Sequence, residues 1–335
     1  MHRPDSNPAK CGKVRRTGDV QIRIEGKSAW YHGLVNCGQV WACPVCAYRI
    51  AVQRAKELQT VIEGHRKAGG AIYLVTATMP HNRGDRPDLQ RLKRMRMAVA
   101  KAWRKTTSGR AWQEMKGRIE WQGQVRALEV MHGDNGWHPH LHILLFTDRS
   151  LTEAEIEALK GFLYQRWSDA IEAAGYRRPT PEHGLWVSHG EDAGWYVTKI
   201  TKQGLAQEIG RPDTKKGHAG GRSILQIIDD WSEFGRDSDK RLIREWLDGM
   251  YGARQLTWSR GIRKRYLPAE QLDFELVQDL EQPAGDLVCK IDGQCWDCAI
   301  RFDPSLSWRL LGAAEKYGRQ GVEDLLDSTC LQIPP

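Results

Sequence analysis

Three histidines alternate with other residues in one short segment, and this spacing could hold a metal ion. His138, His140 and His142 lie in residues 136–146, whose sequence is GWHPHLHILLF. Alternate side chains of a β-strand point to the same face, so the three imidazoles would share one face of a sheet. Histidine is the commonest side-chain metal ligand, and two imidazoles on one strand face are close enough to share an ion. The segment therefore predicts a strand with a metal-binding face.

The preceding segment can place a carboxylate beside these histidines. Residues 125–132 alternate as a strand does, and the turn-forming residues 133–136 follow them. If residues 134–135 form the tip of a hairpin, Glu129 pairs with His140 and lies on the histidine face. The alternative is a surface strand that is histidine-rich by chance. A one-residue slip would misplace the carboxylate and the apolar residues together, and this favours the paired register.

This set of ligands predicts a catalytic ion rather than a structural one. Imidazole and carboxylate ligands together suit Mg²⁺, Mn²⁺ or another catalytic divalent ion better than structural zinc. We expect Glu129, His140 and His142 to hold the ion. His138 is either a further ligand, a support for the ligands, or a residue that contacts the substrate.

The cysteines form a second candidate metal site. Cys37, Cys43 and Cys46 are closely spaced, and Cys11 can supply a fourth thiolate. Two cysteines separated by two residues present both sulfurs to one Zn²⁺, and four thiolates complete a tetrahedral structural site. A redox pair at Cys43 and Cys46 is the alternative, but the surrounding sequence lacks the βαβ pattern of such motifs.

A second cysteine group near the end of the chain repeats this spacing. Cys289, Cys295 and Cys298 are again separated by five and two residues, and Cys330 follows. These four residues are a candidate second zinc site. Three thiols without a metal, in a small terminal module, are an equally good interpretation.

The charge of the chain is unevenly distributed. The 335 residues carry a net charge of +8, but residues 269–335 contain 13 acidic and 5 basic side chains, and the preceding part contains 45 basic and 29 acidic ones. The basic part predicts a polyanionic partner, and some of the 14 tryptophans could stack on bases. No apolar run reaches the roughly 18 residues of a membrane span, and the first residues are no secretory signal. We expect a cytoplasmic protein without a membrane partner.

The predicted elements place these residues on a few strands and helices. A hairpin is expected within residues 20–34 and a strong strand at residues 71–79. A helix should begin with Ser150 as N-cap and Glu153 as its capping-box partner. Further helices are predicted at residues 50–68, 88–106, 191–202 and 242–251, and a further strand at residues 185–189.

The charge and motifs predict three domains. Residues 1–50 form a zinc-knuckle segment, residues 51–268 the catalytic domain, and residues 269–335 an acidic and separable appendage. Basic side chains that we expect to contact phosphates are Arg91, Arg94, Lys101, Arg104, Lys202, Arg263 and Lys264.

The predicted helix at residues 191–202 carries a possible nucleophile. Asp192, Tyr196 and Lys199 lie at spacings of four and three residues and so share one face. Seen alone, this face is ordinary surface. Beside a metal site in a basic protein, Tyr196 becomes a candidate nucleophile with an acid and an amine as helpers.

These motifs resemble those of the HUH endonucleases, and more closely the rolling-circle replication initiators of small bacterial plasmids. Residues 138–142, HPHLH, resemble the second motif, and Tyr196 with Lys199 resembles the third. Residues 73–78 are similar to the first-motif strand, and residues 37–46 to the preceding zinc knuckle. Residues 255–262 also resemble a family segment, so the likeness extends over about residues 10–267.

The resemblance implies an α+β fold and a phosphotransfer reaction. The fold is a central antiparallel sheet of ferredoxin or RNA-recognition type with helices on one face, an N-terminal zinc knuckle and a small C-terminal appendage. His140, His142 and Glu129 would hold Mg²⁺ or Mn²⁺. Tyr196 would attack a DNA phosphodiester, keep the 5′ phosphate and release a 3′ hydroxyl. A carboxylate one helical turn before the tyrosine would activate water, and either Asp192 or Glu191 could supply it.

The expected partner is single-stranded or hairpin DNA of an origin, with a host helicase or polymerase as a further candidate; the sequence leaves the oligomeric state open.

Two alternative functions remain. A rolling-circle transposase of the same superfamily would share the motifs, although a second tyrosine four residues from Tyr196 is absent. A zinc-containing DNA- or RNA-binding regulator would explain the charge and the cysteines, but would leave the histidine hairpin without a role.

Overall fold

A computed structural model describes residues 10–26, 28–81, 90–190, 221–269, 272–273, 275–277, 285–303 and 305–330. The strands are β1 (Val20–Glu25), β2 (Ser28–His32), β3 (Ala71–Thr78), β4 (Trp121–Gly133), β5 (Gly136–Thr147), β6 (Leu185–His189), β7 (Leu256–Trp258) and β8 (Asp286–Ile291). The helices are α1 (Pro44–Lys67), α2 (Arg91–Thr106), α3 (Gly109–Arg118), α4 (Glu153–Glu172), α5 (Pro181–Gly184), α6 (Ile224–Phe234), α7 (Asp237–Met250), α8 (Ile262–Tyr266), α9 (Gly293–Phe302) and α10 (Leu306–Cys330). Among the described residues, no helix has the length and apolarity needed to cross a membrane.

The chain divides into two compact units. One contains residues 51–270, and the other contains residues 1–50 together with residues 271–335. The first unit is built on a five-stranded antiparallel sheet in the order β6-β3-β5-β4-β7. This arrangement of an antiparallel sheet with packed helices confirms the expected α+β class.

The long hairpin of β4 and β5 forms the centre of this sheet. Its strands pair from Trp121–Thr147 to Gly133–Gly136, and Glu129 is opposite His140. Gly136 has a φ of 84°, a left-handed conformation that a residue without a Cβ adopts readily. The register predicted from the alternation of residues is therefore the observed one.

One face of the sheet packs against helices α2, α3 and α4. The odd-numbered residues Leu141, Ile143 and Leu145 of β5 point to this face and are buried. Trp103 of α2 and Trp167 of α4 are fully buried in the same core. Burial of each large aromatic side chain contributes roughly 1.5–3 kcal/mol, so this face supplies much of the unit's stability.

The opposite face, which carries the histidines, is also partly covered by helices. Leu144 and Phe146 of β5 form a second core with Leu58 of α1 and Ile262 of α8. The resemblance implied helices on one face only. The second layer exists because β5 continues beyond its histidines with apolar residues on both faces, and both must be buried.

Helix α4 begins two residues later than the sequence predicted. Thr152, not Ser150, is its N-cap, and Glu155 completes the capping box. The Glu155 carboxylate accepts a hydrogen bond from the backbone N–H of Thr152 and pairs with Arg149. The ion pair with Arg149 thus favours Glu155 over Glu153 as the capping-box partner.

The second unit joins the two ends of the chain in one small sheet. Its strand order is β2-β1-β8, and Ile22 of β1 is opposite Cys289 of β8. Trp296 of α9 is fully buried, contacts Tyr31 edge-on at 5.0 Å between ring centroids, and donates a hydrogen bond to the carbonyl of Lys13. This corrects the expectation of a separable C-terminal appendage, because residues 285–330 complete the sheet and the core begun by residues 10–50.

Candidate functional site

Glu129, His140 and His142 form one cluster on the sheet. The Nε2 atoms of both histidines lie 2.5 Å from the same Oε2 of Glu129. One potential ligand atom from each residue lies within 4.8 Å of the other two. Glu129 and His142 are buried, and His140 is partly exposed. The hairpin therefore brings together the three residues that the sequence singled out, with their ligand atoms directed to one point.

The other ring nitrogen of each histidine has its own partner. The Nδ1 of His142 lies 3.1 Å from the hydroxyl of Thr76 on β3, and the Nδ1 of His140 lies 3.3 Å from the carbonyl oxygen of His138. An N–H at Nδ1 can donate to these oxygens and leave the Nε2 lone pair for a metal. Such partners fix the tautomer and orientation of metal-binding histidines. Sequence reasoning missed Thr76, although it lies in the strand that resembles the first motif.

The charge state of Glu129 fits a ligand role. Burial raises the pKa of the carboxyl group, but hydrogen bonds from His140 and His142 outweigh burial and hold the pKa well below its ordinary value. The group is therefore ionised at neutral pH. A carboxylate with two imidazoles is a donor set that suits a divalent ion such as Mg²⁺ or Mn²⁺.

His138 lies beside this cluster but is not part of it. Its ring stacks on His81, which follows β3, with the centroids 4.3 Å apart and the planes 14° from parallel. Burial, followed by the nearby charges of His140 and His81, lowers the pKa of His138 to about 4. The structure thus favours a supporting or substrate-contacting position over a metal ligand. No motif in the sequence pointed to His81.

The four cysteines of the second unit form a second cluster. Cys11, Cys37, Cys43 and Cys46 are all buried, and their sulfurs lie within 4.8 Å of one another. The Cys46 sulfur is 3.3 Å from that of Cys11 and 3.8 Å from that of Cys37. Zn–S bonds of about 2.3 Å in a tetrahedron place sulfurs about 3.8 Å apart. The group therefore has nearly the dimensions of a four-thiolate zinc site.

Backbone groups also point to this cluster. The N–H of Gly38 donates to the Cys46 sulfur at 3.3 Å, and the N–H of Cys37 donates to the Cys11 sulfur at 3.4 Å. Hydrogen bonds from the other three thiols lower the pKa of Cys46, so one thiolate is already favoured before a metal binds. Local N–H groups that stabilise thiolates are what a zinc knuckle requires.

The C-terminal cysteines are not brought together in the same way. Cys289 lies on β8, and Cys295 and Cys298 lie on α9. Within the described part of the chain, only the two clusters above gather three or more potential ligand atoms within 4.8 Å. Cys330 ends α10, and its side chain lies outside the described residues. The second zinc site stays a prediction without support from this geometry.

The predicted catalytic helix falls in residues 191–220, which lie outside the described residues. This includes Glu191, Asp192, Tyr196, Lys199 and Lys202. The described chain reaches Gly190, directly after β6.

The predicted phosphate contacts differ in their placement. Lys101 and Arg104 are exposed on α2, which packs on the sheet face opposite to His140 and His142. Arg94 on the same helix is also exposed, and Arg91 is partly buried. The sheet therefore separates the exposed α2 positions from the metal-ligand cluster.

Arg263 has a different role from the one predicted. Its guanidinium is buried and lies 2.7 Å from Glu57 of α1, whose other oxygen accepts from Arg54 at 2.8 Å. A side chain held in this buried network is not available to a phosphate on the surface. The neighbouring Lys264 is exposed and remains a candidate contact. Charge spacing alone could not separate the two, because one side of the short helix α8 is buried.

Comparisons with known proteins agree with this arrangement. A family model described as a replication protein matches residues 34–169. That range contains Glu129, His140 and His142, and three of the four clustered cysteines. No solved structure matches the chain.

Two curated relatives come from Streptomyces. "Protein rep" of Streptomyces lividans is 28% identical over 361 residues, covering 87% of this chain and 77% of that protein. "Neomycin resistance protein" of Streptomyces cyanogenus is 32% identical over 148 residues, covering 38% of this chain and 34% of that protein. Together with the match to the family model, this similarity supports the resemblance of the chain to the plasmid Rep proteins.

Proposed function

We propose that this protein nicks and rejoins single-stranded DNA at a replication origin through a covalent tyrosyl–DNA intermediate. The observation that carries the proposal is the convergence of His140 and His142 on Glu129 within an antiparallel sheet. A DNA-binding protein without catalysis has no need of this cluster. The similarity to replication proteins supports a role of this chemistry in starting DNA replication.

Glu129, His140 and His142 would hold a divalent ion. Thr76 and the carbonyl of His138 would keep the two imidazoles turned toward it. A bound Mg²⁺ or Mn²⁺ supplies positive charge to the nonbridging oxygens of the scissile phosphate. Glu129 brings the negative charge that makes binding of a dication favourable in this buried place.

Tyr196 is the proposed nucleophile. Its phenol oxygen would attack the phosphorus and form a phosphotyrosine ester, while the bond to the 3′ oxygen breaks. The phenol proton is lost, the departing oxygen gains a proton, and the product is a free 3′ hydroxyl. Reversal of the same exchange rejoins the strand. A phenol has an ordinary pKa near 10 and needs nearby positive charge to react at neutral pH, and Lys199 would add to it.

The edge strand β6 precedes the segment that contains Tyr196 and lies in the same sheet as the cluster. His189 at the end of β6 pairs with Tyr73, three residues along β3 from Thr76. This is about 10 Å along the strand, and β5 lies about 10 Å across the sheet from β6. Asp192 or Glu191 is the proposed carboxylate that activates water when the reaction ends.

We also propose that Cys11, Cys37, Cys43 and Cys46 bind one structural Zn²⁺. The buried sulfurs and their N–H donors support this ligand set. Zinc closed by four thiolates has no open position for a substrate, so its role is to stabilise the fold.

Covalent capture of DNA tests the nuclease proposal. The full chain is incubated with end-labelled single strands from its own replicon's origin and Mn²⁺, and is then separated under denaturing conditions. The wild type should form an adduct, and Tyr196→Phe should form none. Tyr251→Phe, which alters an exposed tyrosine, is the matched control. An adduct with Tyr196→Phe would reject this nucleophile, and retardation without any adduct would favour the non-catalytic regulator.

A further inference from the structure

A pocket of 540 Å³ lies beside the metal-ligand cluster in the unit of residues 51–270. This volume falls within the range of small-molecule binding sites and is larger than an ion or a few waters would need. The lining residues come from the end of β3, from β5 and from the segment around α5 and β6. They are Thr78, Met79, Pro80, His81, His138, Pro179, Thr180, His183 and Trp186.

Planar side-chain rings form two walls of this pocket. Trp186 on the edge strand β6 is 53% exposed, and the Lys160 ammonium lies 5.4 Å from the centroid of its ring. The parallel stack of His81 and His138 supplies a second planar wall. Among the described residues that line the pocket, none is acidic and none is a lysine or arginine. This chemistry suits a planar, neutral ring and disfavours a phosphate group.

The pocket adjoins the proposed metal site. His138 lies two residues from His140, and their ring centroids are 5.1 Å apart. Trp186 pairs with Thr76 across β6 and β3, and Thr76 pairs with His142 across β3 and β5. Side chains of directly paired residues point to the same face, so Trp186 and the metal ligands share one face of the sheet.

Local hydrogen bonds hold the walls in place. The hydroxyl of Tyr164 donates to the carbonyl of Pro179 at 3.0 Å, and the hydroxyl of Thr78 donates to the carbonyl of His183. Trp167 donates to the carbonyl of Thr78 at 2.7 Å. The pocket is therefore formed before any ligand binds, which reduces the entropy that binding would cost.

We propose that this pocket binds one unpaired nucleobase of the single-stranded substrate and that Trp186 is its stacking surface. The inference rests on the proposed nuclease function, because a strand whose phosphate lies at Glu129, His140 and His142 passes directly beside the pocket. An extruded base in the pocket would fix which phosphodiester reaches the metal site. Trp186 is thus a substrate-positioning residue. Duplex DNA cannot bind in this way, because its bases are stacked and paired.

Equilibrium binding, measured without a divalent ion and in the Tyr196→Phe background, isolates this step from cleavage. The probes are 20-nucleotide homopolymers of thymidine, of deoxyadenosine and of deoxycytidine, and a strand of equal length made of abasic units. Tyr196→Phe alone should bind at least one homopolymer more tightly than the abasic strand. Adding Trp186→Ala should lower the affinity for that homopolymer about 5- to 100-fold, as expected for the loss of an aromatic side chain that stacks on a base. The affinity for the abasic strand should stay unchanged.

Two further variants serve as controls. Trp186→Phe keeps an aromatic face and should retain most of the preference for bases. Trp308→Ala removes an indole of equal exposure, 54%, on α10, and should bind as the parent does. The proposal would be overturned if Trp186→Ala lowered the affinities for the homopolymer and for the abasic strand equally. It would also be overturned if Trp186→Ala lowered neither affinity.

Photocrosslinking gives an independent readout. Single strands containing one 5-bromodeoxyuridine at successive positions are irradiated with Tyr196→Phe, and the attached peptides are identified. Crosslinks to residues 78–81 or 179–186 support the pocket, and crosslinks confined to other segments contradict it. Neither binding nor crosslinking requires nicking, so a failure here is distinct from a failure to form the covalent adduct.

Discussion

Glu129 and His140 lie directly opposite each other on β4 and β5, and the His140 Nε2 is 2.5 Å from the Glu129 Oε2. A side chain from each strand thus contributes to one cluster at a fixed register. His142, two residues along β5, contacts the same carboxylate oxygen from the same face. The hairpin consequently holds the three proposed ligands in a fixed arrangement, which is what a site for a divalent ion needs.

Replacing either histidine of the proposed metal site should abolish nicking without unfolding the protein. His140→Ala and His142→Ala each remove one ligand, and loss of a direct ligand should cost more than the 10- to 100-fold typical of supporting residues. Initial rates of Mn²⁺-dependent nicking check this. Retardation of single-stranded DNA should persist, because the basic surface is unchanged. Wild-type nicking by His140→Ala would show that the ion binds elsewhere.

Thr76 should tune metal affinity through His142. Thr76→Val keeps the shape of the side chain but removes the oxygen that faces Nδ1. We expect Mn²⁺ affinity to fall about 10- to 100-fold, with nicking recovered at high Mn²⁺. Thr76→Ser keeps the hydroxyl and should bind Mn²⁺ nearly as tightly as the wild type does. A calorimetric titration that finds equal affinity for Thr76→Val and wild type would rule out this orienting role.

Zinc removal should destabilise the unit that contains residues 1–50. Metal analysis of the purified protein should find zinc, and a strong chelator should lower the thermal midpoint of unfolding, because four buried thiols would then lose their common ligand. Cys46→Ser should abolish zinc binding. Cys298→Ser, at an exposed thiol on α9, is the control and should leave the zinc content unchanged. Purified wild type without zinc would falsify the assignment.

The C-terminal segment should be required for the stability of the N-terminal unit. Ending the chain at Leu267 removes β8 and α9, and with them the partner strand of β1 and the fully buried Trp296. The truncated protein should become sensitive to proteolysis within residues 10–50. Trp296→Ala alone should cost about 3–5 kcal/mol of unfolding free energy, measured in denaturant.

A chain that lacks only residues 331–335 is the control for this truncation. It retains β8, α9 and α10 and should resist protease as the full chain does. If the chain ending at Leu267 kept its zinc and its resistance, the pairing of β1 with β8 would contribute little to stability.

Features that depend on local spacing could be predicted from the order of the residues alone. Alternation along β4 and β5 predicts both the strands and the Glu129–His140 register, because a slip by one residue would bury charge and expose the core. The close spacing of Cys37, Cys43 and Cys46 limits them to one small region, and the structure brings Cys11, the fourth ligand that the sequence predicted, to the same region. The α+β class is what the resemblance to the HUH endonucleases implies.

Tertiary structure decided the features that depend on pairing between distant segments. Ile22 and Cys289 become neighbours only when β8 joins β1, and Trp186 joins the histidine face only when β6 pairs with β3. Arg263 is removed from the surface by Glu57, about 200 residues before it in the chain. Local periodicity fixes which face a side chain takes on its own strand or helix. The free energy of packing decides which other element covers that face, and this energy depends on residues that no local pattern connects.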